Sequence, residues 1–145
     1  MRQPELVVHA DWSVALWPFQ GELGALLRPG QVVVGETYPA EVYGHLGLNF
    51  GAGGKRTQAG RAANAGRLLA WAEQSPAALS PPLVAQIRDG FGKSNEGDDR
   101  FDAVVGLLGM LNVVWGRRPA GTPQRDTVRR VEGWILGQQG AEMGD

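Results

Sequence analysis

One stretch constrains this chain more than any other: Gly97-Asp98-Asp99-Arg100-Phe101-Asp102-Ala103-Val104-Val105-Gly106-Leu107-Leu108-Gly109-Met110-Leu111-Asn112-Val113-Val114-Trp115. Its opening is acidic, and the remainder is apolar at nearly every position. A surface helix alternates polar and apolar sides with a period near 3.6 residues. This stretch does not, so it predicts a buried helix whose acidic first turn reaches an edge of the core. Asp99 and Asp102 are three apart and share a face. Carboxylates at the mouth of a buried helix either cap it or hold a metal.

The choice of metal is set by what the chain lacks. It has no cysteine and only two histidines, His9 and His45. Disulfides, thiol catalysis and thiolate zinc sites are excluded, and a histidine-rich site is disfavoured. A metal site here would be built from carboxylates, which suit magnesium or manganese. The 145 residues carry a net charge of −1, so no overall field draws nucleic acid or an anionic membrane. The amino terminus lacks a signal-peptide apolar region, and no apolar run reaches the ~18 residues of a membrane span. These features predict a cytoplasmic protein without a membrane partner. The length predicts a single domain over residues 1–137, followed by a frayed tail, 138–145.

Strands and helices alternate along the chain. Leu6-Val7-Val8-His9-Ala10-Asp11 reads as a buried strand ending in an acid, and Val14-Ala15-Leu16-Trp17 as a second short strand stopped by Pro18. A short helix over 21–28 ends at Pro29-Gly30. Gln31-Val32-Val33-Val34 repeats the first pattern, with Glu36 at its end, and Pro39 suits the first turn of the next helix. A glycine-rich loop over 47–56 leads to Thr57, which can cap a long helix through about Gln74. Pro81-Pro82 opens another helix, with Leu83, Val84, Ile87 and Phe91 on its inner side. A polar loop, 92–97, precedes the buried helix. Val131 to Leu136 reads as a closing strand or a packed apolar segment. The expected architecture is α/β, a small and mostly parallel sheet with packed helices.

Two charged constellations emerge. Asp11 and Glu36 end predicted strands, and Asp99 and Asp102 open a predicted helix. Parallel strands beside that helix could bring the four carboxylates to one rim, where they would need a divalent cation. In the bland alternative, Asp98 or Asp99 is an N-cap and Asp102 answers the helix dipole. The second constellation is basic. Lys55, Arg56, Arg61 and Arg67 fall in a stretch with no acid between Glu41 and Glu73. Such a run suits either a nucleic-acid backbone or a solvated helix face. Gly51-Ala52-Gly53-Gly54-Lys55-Arg56-Thr57 is not a P-loop. Asn49 stands where the first glycine is required, and Arg56 where Ser or Thr is required.

The order of four motifs resembles the DUF429 family of predicted nucleases. They are Leu16-Trp17-Pro18-Phe19-Gln20-Gly21, Gly35-Glu36-Thr37-Tyr38-Pro39-Ala40-Glu41, Gly54-Lys55-Arg56 and Asp98-Asp99-Arg100-Phe101-Asp102-Ala103. Glu132-Gly133-Trp134-Ile135 fits as well, and the likeness covers most of residues 14–136. It implies a ribonuclease H-like fold. Val8-His9-Ala10-Asp11-Trp12-Ser13 looks like the family's first strand, where the superfamily places its leading catalytic aspartate. In the family a long block separates that strand from the Trp-Pro-Phe segment. Here Asp11 and Trp17 are six residues apart. The chain thus resembles a shortened member, with an exposed sheet edge expected to pair with a second copy.

The resemblance implies a metal-dependent nuclease hydrolysing phosphodiester bonds. Asp11, Glu36, Asp99 and Asp102 would hold magnesium or manganese, and Lys55, Arg56 and Arg61 would hold the nucleic acid. The alternative is a shortened, non-catalytic relative that binds nucleic acid or a protein.

Overall fold

The computed structural model describes residues 12–138. The strand expected over Leu6–Asp11 and most of the expected tail lie outside them. The described architecture is α/β, about half helical, with a two-stranded parallel sheet. Contacts divide the chain into two units. One comprises residues up to Glu36 together with those from Ala120 onward, and the other is Thr37–Pro119.

In the first unit, β1 (Ser13–Leu16) and β2 (Gln31–Val34) pair in parallel, with Val14 opposite Val32 and Leu16 opposite Val34. A one-turn helix, α1 (Leu23–Leu26), lies in the crossover between them. One sheet face is covered: Ala15 and Trp17 are buried, along with Leu23, Leu26 and Leu136. The other is open, and Val14, Leu16, Val32 and Val34 are between 43% and 61% exposed. The valine-rich strands are therefore covered on one face only among the described residues, not on both as their composition suggested. At the outer edge of β1, Gln20 Oε1 accepts the Leu16 N–H at 2.6 Å. That occupies one of the edge groups a pairing strand would use.

The segment expected as a closing strand begins as a π-helical turn, Val128–Glu132. Its sheet contact shrinks to a parallel bridge between Glu36 and Ile135, with the Leu136 N–H donating to the Glu36 carbonyl at 2.8 Å.

The second unit is helical. Its elements are α2 (Pro39–His45), a 3₁₀ turn (Gly51–Gly53), α3 (Gln58–Ala62), α4 (Ala65–Glu73), α5 (Pro81–Asp89) and α6 (Glu96–Val114). Three sequence signals act as expected: Pro39 starts α2, the Thr57 hydroxyl accepts the Gly60 N–H at 3.1 Å, and Pro81 and Pro82 start α5. The single long helix expected over 57–74 is instead two helices broken at Ala63–Asn64. The cause is Asn64, which is 1% exposed. Its amide donates to the carbonyls of Gly60 and Asn49, and its Oδ1 accepts the Asn49 N–H. The side chain thus competes with the helical ladder and ties the glycine-rich loop to the helix junction.

The long helix α6 is the spine of this unit. Phe101, Val105 and Leu108 are buried with Val42, Leu68, Ile87 and Phe91. The opposite side is open, with Leu107 52% and Val114 44% exposed. The helix is thus less enclosed than its apolar run suggested. No helix among the described residues is long and apolar enough to cross a membrane.

Close approach of α2 to α6 depends on Gly109, where an added Cβ would sit 2.7 and 2.8 Å from the two Val42 methyls. Gly66, in α4, faces open space. Two glycine-to-alanine changes should therefore differ in sign. Gly109→Ala forces the helices apart and should destabilise by about 1–2 kcal/mol despite its gain in helix propensity. Gly66→Ala should stabilise by up to about 1 kcal/mol. Urea unfolding monitored by circular dichroism checks both.

Candidate functional site

The helix α6 begins earlier than its sequence suggested. Asn95 occupies the N-cap position without a side-chain cap, so Asp98 and Asp99 lie in the first turn and cap nothing. Both still answer the positive helix terminus. Asp102 falls one turn further on, next to Phe101.

Phe101 is fully buried, and three rings surround it: Phe50 at 5.6 Å, Phe91 at 6.0 Å and Tyr43 at 6.2 Å between centroids. Phe50 also meets Tyr43 edge-on at 5.0 Å. This packing fixes the Tyr43 ring against the mouth of α6. Its hydroxyl donates to Asp102 Oδ1, and the Lys55 ammonium engages Asp102 Oδ2. Lys55 also lies 6.0 Å from the centroid of the Tyr43 ring, at the outer reach of a cation–π contact. Residues from α2, from the loop before α3 and from α6 thus meet on one half-buried carboxylate.

The Tyr43 hydroxyl ionises well above its ordinary range. Burial is the largest cause, followed by its hydrogen bond to Asp102 and the charges of Asp102 and Asp98. It is a neutral donor throughout the physiological range.

Arg61 has a different place. It is 1% exposed, and its Nε, NH1 and NH2 donate to the carbonyls of Gly90, Lys55 and Gly92 at 2.7–2.8 Å. A guanidinium forked onto three backbone carbonyls clamps the turn after α5 to the segment before α3. It is not a solvent-facing phosphate contact, and this corrects the role expected from its place in a basic run. Arg56 and Arg67 are exposed, and Lys55 is half-buried on Asp102. The basic stretch therefore divides between core, site and surface.

Asp99 is exposed. Glu36 belongs to the first unit, where its side chain is exposed and its carbonyl serves the Leu136 bridge. Asp11 and His9 lie outside the described residues. His45 ends α2 in an exposed position. Desolvation and the charge of Arg118 pull its pKa below the usual value, against an opposing effect of Glu41. Among the described residues, no group of three or more histidine or acidic side chains is placed to hold a metal ion.

Sequence reasoning missed Tyr43 and Asp98. Asp98 and Asp102 are four apart, as good a helical pair as Asp99 and Asp102, and that spacing was the available signal. Tyr43 carried none, because its role depends on α2 crossing α6.

No protein-family model, curated protein or solved structure matches the chain. The likeness to DUF429 rests on the sequence motifs alone.

Two measurements check this geometry. The folded state holds the Tyr43 proton more tightly than the unfolded state, so the associated stabilisation is complete below about pH 10 and fades as pH rises above it. Tyr43→Phe should flatten that alkaline loss in urea titrations run across pH. Arg61→Met removes three charge-assisted hydrogen bonds from a buried site and should cost roughly 3 kcal/mol or more. Unchanged urea stability of that variant would remove Arg61 from the structural role.

Proposed function

We propose that this chain is a ribonuclease H-like protein of the DUF429 kind and hydrolyses phosphodiester bonds of nucleic acid with a divalent cation, magnesium or manganese. The supporting observation is the meeting of Lys55 with Asp102, 47 residues apart, at the mouth of α6. One residue was expected to bind phosphate and the other to bind metal, and they share one half-buried cluster.

Asp102 supplies carboxylate oxygens, the donors a hard cation takes, and Asp98 stands one turn before it on the same helix, whereas Asp99 is exposed. A cation bound there would lower the pKa of a bound water and stabilise the leaving oxygen. The chain's own contributions are positional. Tyr43 holds one Asp102 oxygen through a neutral hydroxyl, so the carboxylate keeps its orientation. Lys55 offsets the acid while no cation is bound. On release from Asp102, its ammonium can bind a phosphate oxygen as a point charge.

The same ion pair favours a second reading, a non-catalytic relative that binds nucleic acid or protein. With Lys55 already on Asp102, the carboxylate is compensated without a metal.

A nuclease screen separates the two. Single- and double-stranded DNA and RNA are incubated with magnesium or manganese, alongside Asp102→Asn. The nuclease reading expects cleavage that chelator abolishes and that falls at least about 100-fold in the variant, the scale of losing a principal charge-stabilising group. Cleavage unaffected by Asp102→Asn would remove the site, and no cleavage of any substrate would leave the binding reading.

A further inference from the structure

The first unit carries a groove in which neither Lys55 nor Asp102 takes part. Its volume is about 470 Å³, and it is lined by Phe19, Gln20, Gly21, Glu22, Arg129 and Arg130. Ligand-binding clefts fall in the range of roughly 300–1,000 Å³. Two walls form it, the turn after β1 and the π-helical turn Val128–Glu132. Local π-helical geometry is uncommon and recurs at functional sites.

The first wall presents a ring. Trp17 and Pro18 are buried, and Phe19 is the first residue of the turn to emerge, 45% exposed. The turn is held at two points. The Gln20 N–H donates to the Leu16 carbonyl at 3.0 Å, and Gln20 Oε1 accepts the Leu16 N–H at 2.6 Å. Gly133 packs close to the far edge of the ring, since a Cβ there would sit 3.1 Å from Phe19 Cζ. Phe19 is therefore an exposed aromatic on a fixed backbone, and little ordering cost remains when something stacks on it.

The second wall supplies charge. Arg129 is already engaged. It bonds Asp126 at 2.8 Å and lies 3.7 Å from Glu22, which also accepts the Thr122 hydroxyl at 2.9 Å. These contacts join the walls and offset the one acid that lines the groove. Arg130 is exposed, and its side chain makes no hydrogen bond or ion pair among the described residues. It is left as the cationic donor beside the ring.

We propose that this groove binds single-stranded nucleic acid, with a base stacked on Phe19 and an adjoining phosphate on Arg130. The inference rests on the nucleic-acid reading of the chain and gives it a strand preference. A fixed aromatic beside a free guanidinium is the pairing by which single strands are held without regard to sequence. The bases of a duplex are stacked on one another and have no free face for Phe19. A simple anion would use Arg130 and leave the ring idle.

Fluorescence anisotropy tests this with labelled oligothymidylate, free and annealed to oligoadenylate, in chelator so that nothing is cleaved. The single strand should bind more tightly than the duplex. Phe19→Ala should weaken it roughly 5- to 150-fold, the range of one lost base–aromatic stack. Phe19→Trp should restore binding. Arg130→Gln should lower the slope of log affinity against log salt by about 0.7, the loss of one phosphate contact to a single strand. Far-ultraviolet circular dichroism confirms that each variant is folded. Duplex preference, absence of single-strand binding, or binding unchanged in both Phe19→Ala and Arg130→Gln overturns the proposal. Binding by the wild type without cleavage on adding magnesium would instead count against the nuclease reading and leave the groove standing.

Discussion

The burial of Phe101 orders the unit that holds the candidate site. Its ring is enclosed by Phe50, Phe91 and Tyr43, which come from a loop, from the turn after α5 and from α2. Phe and Tyr rings bury large areas and prefer edge-on contacts, so such a cluster fixes positions as well as contributing stability. Asp102 is the next residue on the same helix. Burying Phe101 therefore sets where Asp102 stands, and packing Tyr43 against it sets which donor Asp102 meets.

A second constraint supports the first. Arg61 is a buried cation, and burying a charge is costly unless it is fully hydrogen-bonded. Its planar fork meets three carbonyls that belong to two separate turns. A lysine could not make that set of contacts from one position. The clamp fixes the segment that carries Lys55, because the Lys55 carbonyl is one of its acceptors. Lys55 reaches Asp102 from a backbone that Arg61 holds. The candidate site is thus assembled by groups that take no part in its chemistry.

Much of the local structure was legible in the residues. Pro39, Thr57 and Pro81-Pro82 start helices because each satisfies or removes donors at a helix N-terminus. Ile87 faces inward, as its spacing indicated, while Phe91 is buried from the turn beyond the end of α5 and not from the helix. The break at Asn64 was not legible, because a helix-compatible sequence was interrupted by hydrogen bonds to a loop 15 residues earlier. Nor was the open side of α6 visible, since an apolar run reports the tendency to be buried and not the number of partners available. The basic run of Lys55, Arg56, Arg61 and Arg67 looked uniform as charge, yet folding sent its members to three environments.

The sequence by itself determined the class of chemistry open to this protein. Without cysteine, thiolate chemistry and thiolate metal sites are closed to it, and with two histidines a metal centre would lean on carboxylates, for which the acids at the start of the 97–115 stretch were the natural place to look. Helix position and residue type are local properties, so they survive without knowledge of the fold. Only the tertiary structure decided what those acids touch. Asp102 meets Tyr43 and Lys55 because α2 crosses α6 at Gly109 and because a loop is held by Arg61. Asp99, three residues away, faces outward. Such contacts join residues far apart in the chain, and no local periodicity encodes them.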